Sequence, residues 1–243
     1  MFSKLKSLCL AETENMIKDN GFIFLDNGGS ILGVAHCDTV FDNRAKENFY
    51  HETENYIFSP KLDDRAGIFT LLYFLPMYDK NIKFDILLTT NEEKGASTAV
   101  DFVSEKQYNW IFEFDRQGTG AVLYDYEYSE KWTDTVGRNF KINKGSFSDI
   151  CCLTQLGCCG INVGTGYYSQ HQVNSYLSKR NYLKQIKSFI NFYHHNKNKH
   201  FRYDELEIYG DFDEEQYNKS FYDSQKIESS LFFDDYTIKN SDL

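Results

Sequence analysis

The stretch KLDDRAG (residues 61–67) sets two carboxylates, Asp63 and Asp64, side by side at the head of a helical pattern. Neighbouring like charges repel, so a fold gains nothing from them unless a cation lies between or beyond them. The apolar residues that follow, Ile68, Leu71, Leu72 and Leu75, recur at helical spacing and predict a helix over 64–78 that stops near Pro76. The question is which cation the pair serves.

Short apolar runs lie on either side. FIFLD (22–26), SILGVAH (30–36), NYIFS (55–59), FDILLTT (84–90), WIFEFD (110–115), AVLYDYE (121–127) and GINVG (160–164) read as strands. Helical patterns cover 2–18, 95–106, 147–156 and 174–195. Strands alternating with helices predict an α/β fold, a mainly parallel central sheet flanked by helices in three layers. In such sheets, ligands bind beyond the carboxyl ends of the strands. His36 and Asp38 follow the second run, Glu92 and Glu93 the fourth, and Asp115 ends the fifth. His171 lies in a loop just past GINVG, and Asp63 comes shortly after NYIFS. Taken singly, each is an ordinary cap or solvated polar group; their repeated placement at strand ends points to a site.

Composition limits the remaining classes. The 243 residues are 41% apolar with 21 Phe and 18 Tyr, enough for a core, and carry a net charge of −10. Residues 201–243 hold 12 acids and 4 bases, a net of −8, so residues 1–200 carry only −2. Neither part offers the basic field that nucleic-acid binding needs. No apolar run is long enough for a spanning helix. The opening MFSKLKSLCLAETEN turns acidic too early for a secretory leader, and the expected compartment is cytoplasmic. Six cysteines fit that compartment. The CCLTQLGCC cluster (151–159) lacks the two-residue gaps of a thiolate metal site and reads as small buried side chains.

The cation is read from charge. Imidazole and carboxylate without thiolate suit zinc, with cobalt, manganese or iron also acceptable. Two divalent ions bring four positive charges; Asp63, Glu93 and Asp115 supply three negatives, and a shared hydroxide the fourth. His36 and His171 then serve as neutral ligands, one to each ion, and Asp63 reaches both. Asp64 turns away to Arg65 or to helix-terminal amides. Glu92 and Glu93 point in different directions, so one binds metal while the other acts as a general base. Asp38 takes the second nitrogen of His36 and fixes its tautomer.

The motifs AHCDTV (35–40), LDDRAG (62–67), TTNEEKG (89–95), FEFDRQG (112–118) and GYYSQHQVNSYL (166–177) resemble, in order, those of the co-catalytic di-zinc exopeptidases. That superfamily includes leucyl, glutamyl and tetrahedral aminopeptidases, dipeptidases, deacylases and glutaminyl cyclases. The resemblance implies His36, Asp63 and Asp115 on one zinc and Asp63, Glu93 and His171 on the other. It implies Glu92 as general base, Asp38 behind the histidine, a cis Asp63–Asp64 bond and Asp149 near the last histidine. Lid or dimerisation domains of relatives sit between the first His and the bridging Asp, or before the last His. Those gaps are 27 and 56 residues here, which implies a compact member with no folded insert. Relatives often carry Glu four residues after the last histidine; this chain has Ser175.

The expectation is an aminopeptidase-like hydrolase of a peptide or small amide. The alternatives are an N-acyl amino-acid deacylase and a non-catalytic peptidase-like binding module. Arg116, Tyr167 and Tyr168 are the candidates for substrate contact; an ion pair to Asp64 is the structural alternative for Arg116. Residues 1–200 read as the catalytic domain and 201–243 as an acidic, aromatic extension. The extension is expected to pack partly through Leu231, Phe232 and Phe233, or to serve a homo-oligomer or another partner. His194, His195 and His200 read as solvated residues at a helix end.

Overall fold

The computed structural model describes residues 2–11, 21–40 and 49–204. In chain order the elements are α1 (Ser3–Leu10), β1 (Ile23–Leu25), β2 (Leu32–His36), β3 (His51–Glu52), β4 (Tyr56–Phe58), α2 (Leu62–Phe69), α3 (Leu75–Tyr78) and β5 (Asp85–Thr89). They continue with β6 (Ile111–Glu113), β7 (Ala121–Val122), α4 (Glu130–Gly137), β8 (Ile142–Asn143), β9 (Gly160–Val163), β10 (Tyr167–Tyr168), β11 (Tyr176–Ser178) and α5 (Lys179–Asn196).

Seven strands form the central sheet in the order β1-β5-β2-β6-β9-β7-β8. Its middle pairs, β5/β2, β2/β6 and β6/β9, are parallel, while β1 and β7 join antiparallel. Strands β2, β5, β6 and β9 are buried at every position, as strands covered on both faces must be. On one face Phe112 and Phe114 pack against Phe189 of α5 at 4.6 and 4.9 Å between ring centroids. Trp110 and Trp132 extend this aromatic core, and each indole N–H reaches a carbonyl, of Asn196 and Gly160 respectively. A second sheet, absent from the sequence reading, is antiparallel in the order β10-β11-β4-β3. NYIFS belongs to it rather than to the central sheet.

Several predicted elements differ. The helix over 64–78 starts at Leu62 and runs past Pro76 to Tyr78, because a wider π turn at Thr70–Phe74 makes room for the proline ring. The stretch 95–106 yields only a 3₁₀ turn, Thr98–Asp101, which the Ser97 hydroxyl caps. Capping and β-branched side chains there compete with helix. The segment 147–156 is a 3₁₀ run, Asp149–Leu156, and the last helix begins at Lys179, after β11. AVLYDYE leaves the sheet after Val122 for a 3₁₀ turn. Of the helix over 2–18, the part beyond residue 11 lies outside the described residues, as do Leu231, Phe232 and Phe233. Phe201 and Tyr203 are buried, and the Phe201 N–H donates to the Asn109 carbonyl.

Asp85 anchors the start of β5. Its buried carboxylate accepts the backbone N–H groups of Asn27 and Gly29 at 2.9 and 2.8 Å, the Tyr108 hydroxyl at 3.1 Å, and the Lys106 ammonium. Asp85→Ala strands the Asn27 and Gly29 amides and the Tyr108 hydroxyl, while Lys106 keeps Asp26, and is expected to lower stability by about 2–4 kcal/mol. Urea unfolding at constant m-value measures the loss.

Candidate metal centre

His36 is the last residue of β2. Asp115 lies two residues past β6, and Glu92 and Glu93 form the 3₁₀ turn Glu92–Lys94 that follows β5. Parallel neighbours deliver these residues to one edge of the central sheet. The second sheet supplies the rest: Asp63 follows β4 at the head of α2, and His171 sits in the turn between β10 and β11. Asn91, Ser169 and His171 have φ of 63°, 59° and 58°, a left-handed backbone unusual for residues with side chains. Such conformations concentrate at sites that the surrounding fold over-determines.

All six residues meet. Asp63 Oδ1 lies 3.2 Å from His36 Nε2, while Asp63 Oδ2 lies 3.1 Å from His171 Nε2. One carboxylate thus faces two imidazoles, one through each oxygen. His36 Nε2 is also 3.5 Å from Asp115 Oδ1 and 3.8 Å from Glu92 Oε2, and His171 Nε2 is 2.8 Å from Glu93 Oε2. The donor atoms of His36, Asp63 and Glu93 fall within 4.8 Å of one another, as do those of His36, Asp64 and Asp115.

Asp64 is buried, and its Oδ1 accepts the Gly67 N–H at 2.9 Å, the helix-terminal amide; it makes no hydrogen bond with Arg65. Gly67 is needed there, since a Cβ would overlap that carboxylate. The Asp63–Asp64 peptide is cis. Asp38 meets His36 Nδ1 mainly through its carbonyl oxygen at 3.1 Å, with its carboxylate at 3.5 Å, while its Oδ2 accepts the Glu93 N–H. Tyr167 is fully buried rather than pocket-lining, and its hydroxyl donates to the Asp115 carbonyl at 2.6 Å. Tyr168 and Arg116 are half-buried at the rim, and Arg116 makes no ion pair among the described residues. Asp149 makes no hydrogen bond to the last histidine among the described residues; its carboxylate accepts the Thr89 hydroxyl at 2.7 Å and that of Ser97. The Ser175 hydroxyl makes no hydrogen bond to His171 among the described residues. His194, His195 and His200 are exposed as expected, with His194 also pairing with Asp79 at 2.6 Å, and all six cysteines are unbridged.

Sequence reasoning missed the residues that hold Asp115. Asn162 of β9 accepts the N–H groups of Asp115 and Arg116 at 3.3 and 2.9 Å, and the buried Glu113 accepts the Ser148 hydroxyl. The available signal was a polar side chain inside an otherwise apolar buried strand, in GINVG and in WIFEF.

The charges are those of a centre that needs cations. Burial opposes a charge on His36, yet Asp115, Asp38 and Asp63 push its pKa well above the ordinary imidazole value. His171, bonded to Asp63 and Glu93, is pushed up to about 10. Burial and the Asp63 charge raise Asp115 to about 7. Burial, helped by Asp115, Asp149 and Asp63 against an opposing pull from His36, lifts Glu92 to about 9. Protons therefore occupy the places of positive charge. The guanidinium of Arg65 is buried and makes no hydrogen bond to any of these acids. Imidazole nitrogens and carboxylate oxygens converging in this way fit divalent zinc-like ions.

No protein-family model matches the chain, and no curated protein matches it. Solved structures with a similar fold include the aminopeptidase PepT from Bacillus cereus, at 12% identity and TM-score 0.53, covering 79% of this chain and 90% of that one. A tripeptidase from Staphylococcus aureus is 12% identical with TM-score 0.54, covering 78% and 89%. The dodecameric PhTET1-12s is 14% identical with TM-score 0.52, covering 78% and 97%. At these identities the likeness is one of fold: an α/β sheet architecture that known aminopeptidases share.

Metal ligation requires neutral imidazoles, so zinc titrated into the metal-free chain at pH 7 is expected to release about two protons, from His36 and His171. Calorimetry in buffers of different ionisation enthalpy measures them. Tyr167→Phe removes the bond that fixes the Asp115 carbonyl and is expected to weaken metal affinity about tenfold with the fold intact.

Proposed function

We propose that this chain is a metal-dependent hydrolase of peptide or small amide bonds, aminopeptidase-like, built to hold two zinc ions. The observation that carries the reading is Asp63, whose two oxygens face different histidines at 3.2 and 3.1 Å. His36, Asp63 and Asp115 would hold one ion, and Asp63, Glu93 and His171 the other. When bound, the ions polarise the scissile carbonyl and acidify the water beside it.

The chain's own groups do the rest. Glu92 is largely buried, and its Oε2 lies 3.8 Å from His36 Nε2, beside the atoms that would hold the ions. These properties suit a group that takes a proton from the attacking water and passes it to the leaving nitrogen. Asp38 orients His36 through Nδ1 and braces the Glu93 backbone, so one residue steadies ligands of both ions. Tyr167 and Asn162 hold the Asp115 backbone.

A second reading rests on Arg116, whose guanidinium has no acidic partner among the described residues. Beside Asp115 it could bind a substrate carboxylate, which would suit a dipeptidase or an N-acyl amino-acid deacylase. A panel of aminoacyl and N-acyl substrates distinguishes these. A chain that binds metal stoichiometrically and turns over none of them is instead a binding module.

Glu92→Gln is expected to retain both metals by elemental analysis and to lower kcat by roughly 10²–10⁴-fold. Undiminished turnover refutes the assignment of Glu92.

A further inference from the structure

The second sheet carries a row of aromatic side chains that the centre's chemistry does not use. Tyr168 of β10 pairs in register with Tyr176 of β11, Tyr176 with Phe58 of β4, and Phe58 with His51 of β3. Four rings therefore stand side by side across four strands. Tyr168 and Tyr176 are stacked at 5.3 Å, Tyr176 and Phe58 lie 6.1 Å apart, and Phe58 and His51 also 6.1 Å. The alternate residues Tyr167, Leu177 and Ile57 are buried, so the row occupies the outward face of the sheet.

We propose that this row is the subsite for the part of a peptide substrate remote from the cleaved bond, selecting oligopeptides with aromatic or large apolar side chains. The proposal rests on the hydrolase reading above and adds its substrate class. Continuity with the centre is the first argument. Tyr168 and Tyr176 flank the turn that holds His171, and the Tyr168 ring lies 3.8 Å from where a Cβ on Gly118 would stand, in the loop that leaves Asp115 and Arg116. The Tyr168 end of the row thus abuts the loops that carry His171 and Asp115.

The second argument is what the row offers a ligand. Two of the polar groups along it are already paired within the protein: the Tyr168 hydroxyl with the Asn181 amide at 2.7 Å, and Glu52 with Lys179 at 2.6 Å and with the Tyr50 hydroxyl at 3.0 Å. The row otherwise offers aromatic carbon, interrupted by the Tyr176 hydroxyl and the His51 imidazole, which favours apolar side chains over polyols. Three inter-strand spacings span about 14 Å, the length of about four extended residues. The row thus favours peptides of about five residues over dipeptides.

The test compares kcat/KM of the zinc-loaded full chain on Leu-Ala and on Leu-Ala-Phe-Phe-Ala. In Tyr176→Ala and Phe58→Ala the pentapeptide-to-dipeptide ratio should fall about tenfold, chiefly through KM, and Tyr176→Phe and Phe58→Tyr should restore it. An unchanged ratio overturns the proposal. Should the wild type hydrolyse neither peptide, the hydrolase reading fails, and calorimetric titration of the pentapeptide onto the same variants decides the subsite by itself. About tenfold weaker binding in the alanine variants supports it. Equal binding overturns it, as does tighter binding of cellopentaose, or loss of a homo-oligomer in these variants with no effect of peptide length.

Discussion

Everything in this fold that bears on chemistry follows from bringing Asp63, Asp115, Glu92 and Glu93 within reach of His36 and His171 in a largely buried space. Carboxylates at such separations repel strongly once water is removed, and desolvation adds its own penalty. Without cations the cluster holds protons instead, which make its imidazoles cationic and neutralise Glu92. Dications fit the same atoms with the charge the cluster lacks. The pair at 63–64 is then explained in two parts: Asp63 is shared between two imidazoles, and Asp64 ties off the Gly67 amide at the head of α2.

The scaffold holds this arrangement from two sides. The parallel middle of the central sheet fixes the spacing of His36, Glu92 and Asp115, because a one-residue slip would turn every packed side chain into the opposite layer. The antiparallel sheet fixes Asp63 and His171, which no strand of the central sheet carries. Buried polar groups join the two: the Tyr167 hydroxyl runs from the second sheet to the Asp115 carbonyl, and Asn162 secures the same loop from β9. Asp38 links the His36 strand to the Glu93 turn.

Much of the centre was legible in the chain because metal-type ligands at strand ends leave a local signature. His36, Glu92, Glu93 and Asp115 each follow an apolar run, and period-2 and period-3.6 patterns mark those runs without tertiary information. The α/β layering came from the same patterns. What failed had local causes too. The 95–106 segment carries helical apolar spacing but also caps that end helices early, and the π turn before Pro76 depends on packing that a propensity argument does not see.

Sequence by itself determined which acids and imidazoles stand at the strand ends, their order and the parallel sheet behind them, since these depend on residue chemistry and short-range periodicity. Tertiary structure alone decided that NYIFS leaves the central sheet to pair with the hairpin around His171. It also decided that Tyr167 turns inward while Tyr168 turns out, and that Asn162 and Tyr167 brace Asp115. Those outcomes depend on contacts between residues 40 or more positions apart. A pattern within one strand says that its two faces differ; only the partner strand settles which face meets the core.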